Sequence, residues 1–332
     1  MRGRDDSERG TGYFPAVSIT PPTFDRPELL LLGPTAGGKT AVAVELARRW
    51  PGGGECIIAD SMQVYEGMVI GTAQPTSEEQ AGIPHHLCGT VDPGGSPFTV
   101  KDWLEAARIA ASEIRGRGRL PILVGGTNLY ARSWLEGVFE GPPRDQALRD
   151  RLEGEALPEL VRMLRDVDPE AAERIHPNDR RRMIRAIEVH ASTGRPLSAQ
   201  QSQWGAVIEG RQEVRVVVLD WPTEILNQRI NARVRAMMES GFLEEVRRLA
   251  EEGALGPQAI EAVGYRELLE HASGGLGLDA AVERIKIRTR RYGKQQRTWL
   301  RRFMAMPGVV RIEPAERSAA DIAGEIMVKV QV

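Results

Sequence analysis

Cysteine is nearly missing: a chain of 332 residues carries 2, Cys56 and Cys88. That is too few for a disulfide framework, and the pair lacks metal-site spacing, so both are expected to be reduced, buried thiols. No apolar run approaches the roughly 20 residues of a membrane-spanning helix. The N-terminus lacks the apolar centre of a signal peptide, and the expectation is a cytoplasmic protein with no membrane contact. Net charge is close to absent as well; the formal value of -2 at pH 7 gives no global sign of a nucleic-acid partner. Lysine is scarce, present only at Lys39, Lys101, Lys286, Lys294 and Lys329, although Lys and Arg together number 44. A lysine inside a motif is therefore hard to dismiss as background. The hydrophobic share of 41% and charged share of 27% are those of an ordinary globular protein with one or two cores.

One stretch organises the remainder. From Glu28 to Thr40 the chain reads ELLLLGPTAGGKT: an apolar run of strand length, then Gly33, Pro34, Thr35, Ala36, Gly37, Gly38, Lys39 and Thr40. Two glycines five apart, followed by lysine and a hydroxyl residue, fit the phosphate-binding loop. Backbone amides can close around phosphate oxygens only where glycine removes the side chains, and a helix N-terminus adds partial positive charge. Lys39 would reach a terminal phosphate and Thr40 would hold Mg²⁺. The following AVAVELAR, residues 41–48, reads as a helix. Such a loop reads phosphates and no base, so it leaves the phosphate compound open.

Residues 1–26 are polar, rich in Arg, Gly and Pro, and read as a disordered extension. ECIIAD, residues 55–60, is a second buried strand that places Asp60 at its carboxyl end, where doubly wound sheets bind ligands. An aspartate capping the next turn is the alternative. Residues 61–97 are irregular and long enough to suggest a substrate loop. A helix is expected over 99–115 and a third buried strand over 120–124. Gly125, Gly126 and Thr127 then turn into a helix over 128–135, with Thr127 either a plain N-cap or a site residue. Residues 141–211 are charged and helical, an inserted lobe between core segments 27–140 and 212–332. In its piece HPNDRRRMIRAIEV, Asn178 is the expected N-cap, and Arg180, Arg181, Arg182 and Arg185 crowd a helix start that disfavours cations without an anion. VRVVVL, residues 214–219, resumes the sheet and ends in Asp220, in the manner of a magnesium-binding strand.

Helices follow over 223–240, 242–251, 258–271 and 279–304, with an edge strand over 309–312 and a short helix from Ala319. In the long helix Ile285, Tyr292, Trp299 and Phe303 form an expected packing face. Arg290, Lys294, Arg297 and Arg301 form a cationic ridge suited to a phosphate backbone, with almost no acids in the same stretch. These residues alone leave two functions open. One is a small-molecule or nucleoside kinase that binds ATP and uses Asp220 for magnesium. The other is an RNA-binding GTPase switch.

Six ordered motifs, GPTAGGKT, ADSMQVYEGMVIGTAQP, ILVGGTNLY, HPNDRRRMIRAIEV, AVGYRE and KQQRTWLRR, closely resemble the tRNA dimethylallyltransferase family from about Leu29 to Arg302. The resemblance implies an α/β fold of the P-loop NTPase type, a parallel sheet with helices on both faces and an inserted helical lobe. It implies that the loop from Gly33 to Thr40 holds the diphosphate of dimethylallyl diphosphate with Mg²⁺ on Thr40. It implies further that Thr35 and Asp60 work at the reacting amine and that Arg233 steadies the diphosphate. The acceptor would be adenosine 37 in a tRNA anticodon stem-loop. The implied RNA contacts are Asp60, Ser61, Met62, Gln63, Thr127, Arg149, Arg180, Arg181, Arg182, Met183 and Ile184. They continue through Ala262, Val263, Gly264, Tyr265, Arg266 and Glu267 to Lys294, Gln295, Gln296, Arg297, Thr298, Trp299, Leu300 and Arg301. Glu66 stands where the family commonly has a basic residue and Gln74 where Lys is frequent, so neither is carried over. A monomer is expected.

Overall fold

Four consecutive leucines build the centre of the sheet. In the computed structural model, β1 (Glu28–Leu32) is buried throughout; Leu30 and Leu32 enter one apolar cluster, Leu29 and Leu31 a second. That is the two-residue period of a strand covered on both faces. The structure describes residues 28–138, 141–142, 144–201 and 214–330, so the expected N-terminal extension and the last part of the expected lobe lie outside the described residues. β2 (Gly54–Ile58), β3 (His85–His86), β4 (Leu120–Gly125), β5 (Val214–Leu219) and β6 (Val310–Ile312) complete the sheet. Their order is β3-β2-β4-β1-β5-β6, and every pair is parallel. The P-loop NTPase-type α/β fold expected from the sequence is present. The two-residue β3 has no hydrophobic period to announce it.

The helices are α1 (Lys39–Arg49), α2 (Val69–Thr72), α3 (Ser77–Gln80), α4 (Val100–Gly116) and α5 (Asn128–Glu136), then α6 (Gln146–Glu153), α7 (Leu157–Val167), α8 (Pro169–Arg174), α9 (Arg180–Thr193) and α10 (Leu197–Gln201). After β5 come α11 (Thr223–Glu239), α12 (Phe242–Glu251), α13 (Tyr265–Ala272), α14 (Leu278–Met304) and α15 (Ala319–Val330). α1 and α15 cover one face of the sheet; α4, α5, α12, α13 and α14 pack on the other. α11 contributes Val234 to the first core and Leu226 and Ile230 to the second, so it crosses where the two cores meet. No helix among the described residues is long and apolar enough to cross a membrane.

Three expectations are corrected. The helix expected over 258–271 is a 3-10 turn (Ala259–Glu261) and α13, interrupted at Gly264. There φ is +104° and a Cβ would strike Phe242, conditions that only glycine accepts. The N-cap of α9 is Asp179, not Asn178: its Oδ1 accepts from the Arg182 amide at 3.2 Å, putting a carboxylate at the crowded positive end. The buried line of α14 is Ala281, Ile285, Gly293, Gln296, Leu300 and Phe303. Tyr292 and Trp299 lie half-buried beside it, and Arg302 stacks 4.6 Å over the Trp299 ring.

Helices α6 to α9 enclose their own cluster, including Leu152, Leu160, Leu164, Met183, Ile184 and Ile187. Beside it Glu188 is fully buried, receiving Arg149 through both oxygens at 2.8 Å, Arg185 at 2.6 Å and the Asp145 amide at 2.9 Å. Burial pushes this carboxyl up, but Arg149, Arg185 and the Asp145 amide outweigh it and hold the pKa at about 2, against an ordinary 4.5. The resulting stability is present above pH 4.5 and is lost as pH falls toward 2. Glu188→Gln should therefore destabilise these helices at pH 7 by on the order of 3 kcal/mol, the scale for breaking a buried pair. Thermal melts across acid pH check this; a gap from wild type that fails to narrow below pH 4.5 would assign the loss to shape instead of charge.

Candidate active site

The loop between β1 and α1 is shaped by what glycine permits. Ala36 and Gly38 take φ of +58° and +77°, left-handed values that tighten the loop, and the Gly37 amide folds back onto the Pro34 carbonyl at 3.1 Å. A Cβ on Gly37 would lie 2.7 Å from the Pro34 carbonyl, and one on Gly33 3.2 Å from Leu219 Cβ. Lys39 Nζ donates to the Pro34 carbonyl at 2.9 Å, so the ammonium is folded over the loop. Burial lowers its pKa to about 8; Asp60 opposes the shift and Arg233 adds to it. Lys39, Asp60 and Arg233 therefore share one electrostatic neighbourhood.

Three side chains hold the loop from outside, and the sequence reading assigned none of them to it. Trp221 Nε1 donates to the Gly37 carbonyl at 3.0 Å, and Arg229 Nε to the Ala36 carbonyl at 2.7 Å. The Arg229 guanidinium lies 4.5 Å over the Trp221 ring. Gln296 Oε1 accepts from the Thr35 amide at 2.8 Å while its Nε2 donates to the Gly126 carbonyl at 2.9 Å. Arg229 was within reach of pattern reading, one helical turn before Arg233 on α11. Trp221 and Gln296 had no local signal.

Asp60 follows β2 and lines a cavity of about 450 Å³ together with Thr35, Arg233, Met62, Thr72 and Tyr292. Its Oδ1 accepts from the Met62 amide at 3.0 Å, and Oδ2 has no hydrogen-bond partner among the described residues. The carboxylate thus caps its turn with one oxygen, and the residue lines the cavity. Burial pushes the Tyr292 phenol above its ordinary range, and the Asp60 charge pushes the same way. Thr127 occupies the N-cap position of α5 without a capping bond; its Oγ1 accepts from the Ser61 amide at 2.9 Å instead. Gln63 and Gln74 brace the segment behind: Gln63 Nε2 donates to the Ala73 carbonyl and Gln74 Nε2 to the Tyr65 carbonyl, both at 2.6 Å.

Asp220 lies elsewhere. Its Oδ2 is taken by Arg311 of β6, at 2.9 Å from Nε and 2.8 Å from Nη2, and it is absent from the cavity lining. Among the described residues no group of three or more His, Cys, Asp and Glu could cage a metal.

The family models decide what this constellation belongs to. One described as IPP transferase matches residues 63–303, and one described as isopentenyl transferase matches residues 28–86. The chain belongs to the IPP transferase family. A tRNA dimethylallyltransferase of Syntrophobacter fumaroxidans is 46% identical over 283 residues, 83% of this chain and 81% of that one. The crystal structure of a full-length tRNA isopentenylpyrophosphate transferase from Bacillus halodurans matches with TM-score 0.65 at 36% identity, covering 92% of this chain and 97% of that one. A eukaryotic dimethylallyltransferase acting on tRNA matches with TM-score 0.75 at 28% identity, over 90% of this chain and 75% of that one.

Within this IPP transferase fold the expected RNA-facing residues separate by exposure. Arg181 and Arg182 of α9 are exposed, the latter paired with Asp179 at 3.3 Å, while Arg180 Nη1 donates to the Glu153 carbonyl at 2.9 Å. Met183 and Ile184 are 1% and 2% exposed in the helical cluster, so their contact is with the lobe. Arg149 is committed to Glu188. Ala262 and Val263 line the cavity; Arg266 pairs with Glu261 on the surface. Gly264 is buried, and so is Tyr265, whose hydroxyl donates to Glu245 Oε1 at 2.6 Å. Glu267 is 5% exposed, accepts from the Gly264 amide at 3.0 Å and pairs with Arg288. These three support the wall and present no surface. On α14, Lys294, Gln295, Thr298 and Arg301 are exposed and Arg297 and Trp299 half-exposed, while Gln296 and Leu300 are buried. The acids scarce within the helix are supplied from outside it, since Glu270 pairs with Arg284 and Glu267 with Arg288. Among the described residues Lys294, Arg297 and Arg301 have no such partner; Arg297 donates to the Thr223 hydroxyl.

Proposed function

We propose that the protein transfers a dimethylallyl group from dimethylallyl diphosphate to the exocyclic amine of adenosine at position 37 of tRNAs, releasing diphosphate. One observation carries the reading: the phosphate loop, through Thr35, the Asp60 residue after β2 and Arg233 of α11 line the same cavity. The adenine amine is a poor nucleophile because its lone pair is delocalised into the ring. Asp60 accepts its proton as nitrogen attacks the allylic carbon. The carbon–oxygen bond to diphosphate breaks, and the electron pair leaves with the oxygen. Lys39, the amides of Gly38, Lys39 and Thr40 and Arg233 are the preorganised donors for that charge. Thr40, next to Lys39 at the start of α1, would hold Mg²⁺, an ion that keeps waters and substrate phosphates and needs no protein cage. Mg²⁺ would neutralise part of the diphosphate charge. A base stacked in its loop is out of reach, so the target is extruded into the cavity, at lower cost from a single-stranded loop than from a duplex. The protein acts in the cytoplasm as a monomer.

The kinase reading would need Asp220 at the phosphates, and Arg311 occupies it. Incubating an anticodon stem-loop carrying adenosine at position 37 with dimethylallyl diphosphate, Mg²⁺ and no nucleotide tests the choice by mass spectrometry. A mass gain of one prenyl group is expected; phosphorylation of a small molecule with no gain on the RNA would return the protein to the kinases. The same stem-loop tests the ridge. Lys294→Ala with Arg301→Ala should flatten the log-log salt dependence of RNA affinity by about one per lost phosphate contact. An unaltered slope would make these residues a solvated face.

A further inference from the structure

The charged residues in the wall of the cavity are Asp60, Arg233, Glu261, Arg288 and Arg291. All but the last have a countercharge inside the protein. The Asp60 charge acts on Arg233 and on Lys39, Glu261 pairs with Arg266, and Arg288 pairs with Glu267. Arg291 is exposed and has no ion-pair or hydrogen-bond partner among the described residues.

Arg284, Arg288, Arg291 and Gln295 recur at four, three and four residues, a stripe along one side of α14. Glu270 takes Arg284 and Glu267 takes Arg288, so the first two arginines fasten α13 against α14. The third opens on the cavity with no acid beside it. This side of the helix is turned away from the phosphate loop. Gly293 is where α14 approaches that loop, since a Cβ there would lie 3.9 Å from Thr35 Cγ2. Arg291 is rotated about 160° from Gly293 at about 3.6 residues per turn. It is also rotated about a quarter of a circle from the ridge of Lys294, Arg297 and Arg301. Its charge therefore belongs to the outer rim, apart from the diphosphate site and from the ridge.

We propose that Arg291 holds the RNA phosphate flanking the extruded nucleotide and is thereby a positioning residue for base extrusion. The assignment rests on the prenyl-transfer reading given above. A nucleotide that swings its base inward rotates about its own backbone, so the flanking phosphodiesters stay at the rim. There a guanidinium with no carboxylate to satisfy can take two oxygens of one phosphate. The ridge meets backbone that is present whether or not the base has turned. Lys294 and Arg301 should thus set RNA affinity, and Arg291 the fraction of bound RNA whose base is turned in.

Arg291→Ala should slow single-turnover transfer at saturating RNA by roughly tenfold, the scale of a hydrogen bond to a charged group, with RNA affinity changed by a few-fold at most. Arg291→Lys should regain part of the rate. A stem-loop with 2-aminopurine at position 37 brightens when that base unstacks, and Arg291→Ala should reduce the rise. Neutral methylphosphonate linkages placed on either side of position 37 identify the contact. At the contacted linkage the neutral group should slow wild type to the level of Arg291→Ala and leave the variant unchanged. Losses that multiply at both linkages, or a variant with the wild-type rate, would make Arg291 a solvated side chain. If wild type transfers no prenyl group to the unmodified stem-loop, the failure belongs to the prenyl-transfer reading itself.

Discussion

Lys39→Ala is expected to reduce prenyl transfer to the stem-loop by roughly 10³ or more, the scale for removing a preorganised donor from a developing anion. The ammonium lies on the Pro34 carbonyl at 2.9 Å, and its pKa is lowered to about 8 by burial. The lowered pKa adds a pH signature. The cationic form binds diphosphate, so donor affinity should fall as pH rises through about 8, by up to tenfold per unit. The variant should lose that limb. Donor titrations from pH 7 to pH 10 with single-turnover transfer measured alongside check both halves. A variant with wild-type turnover would remove Lys39 from the leaving-group site.

Asp60→Asn is expected to slow single-turnover transfer by roughly 10², the usual scale for a general acid–base group, while donor and RNA affinities change by a few-fold. The substitution is conservative in shape, since an asparagine oxygen can still accept from the Met62 amide that Oδ1 takes at 3.0 Å. What disappears is the charge and the proton-accepting oxygen. The Asp60 charge also raises the Lys39 pKa, so the alkaline limb should move to lower pH in the variant. A slow variant with an unmoved limb would assign Asp60 to the turn alone, and a wild-type rate would end its assignment as base.

The sheet and the phosphate loop were legible because their signals are local: apolar runs of strand length, glycines at fixed spacing, a helix after the lysine. The contacts that aim the loop are not local. Gln296 lies 261 residues from Thr35, Arg229 193 from Ala36, and Trp221 184 from Gly37. No window of sequence contains both partners. The long helix shows the same limit. Its cationic ridge stood out because charge is visible one residue at a time. Its buried line ran through Gly293 and Gln296, where a close helix approach and a satisfied amide replace the expected aromatic face. Exposure separates the residues within the motifs. Met183, Ile184, Tyr265 and Glu267 sit inside motif runs, and a run records every residue needed to shape a surface along with those that form it.

The Gln296 bridge also bears on how the sequence can drift. A Cβ on Gly126 would land on the Gln296 amide nitrogen, and that amide spans the gap between the Gly126 carbonyl and the Thr35 amide. Any side chain at 126 evicts Gln296, and a shorter residue at 296 strands the loop amide it serves. A change at either position becomes tolerable only after the other has changed, so lineages should hold the two fixed together or exchange them as a pair.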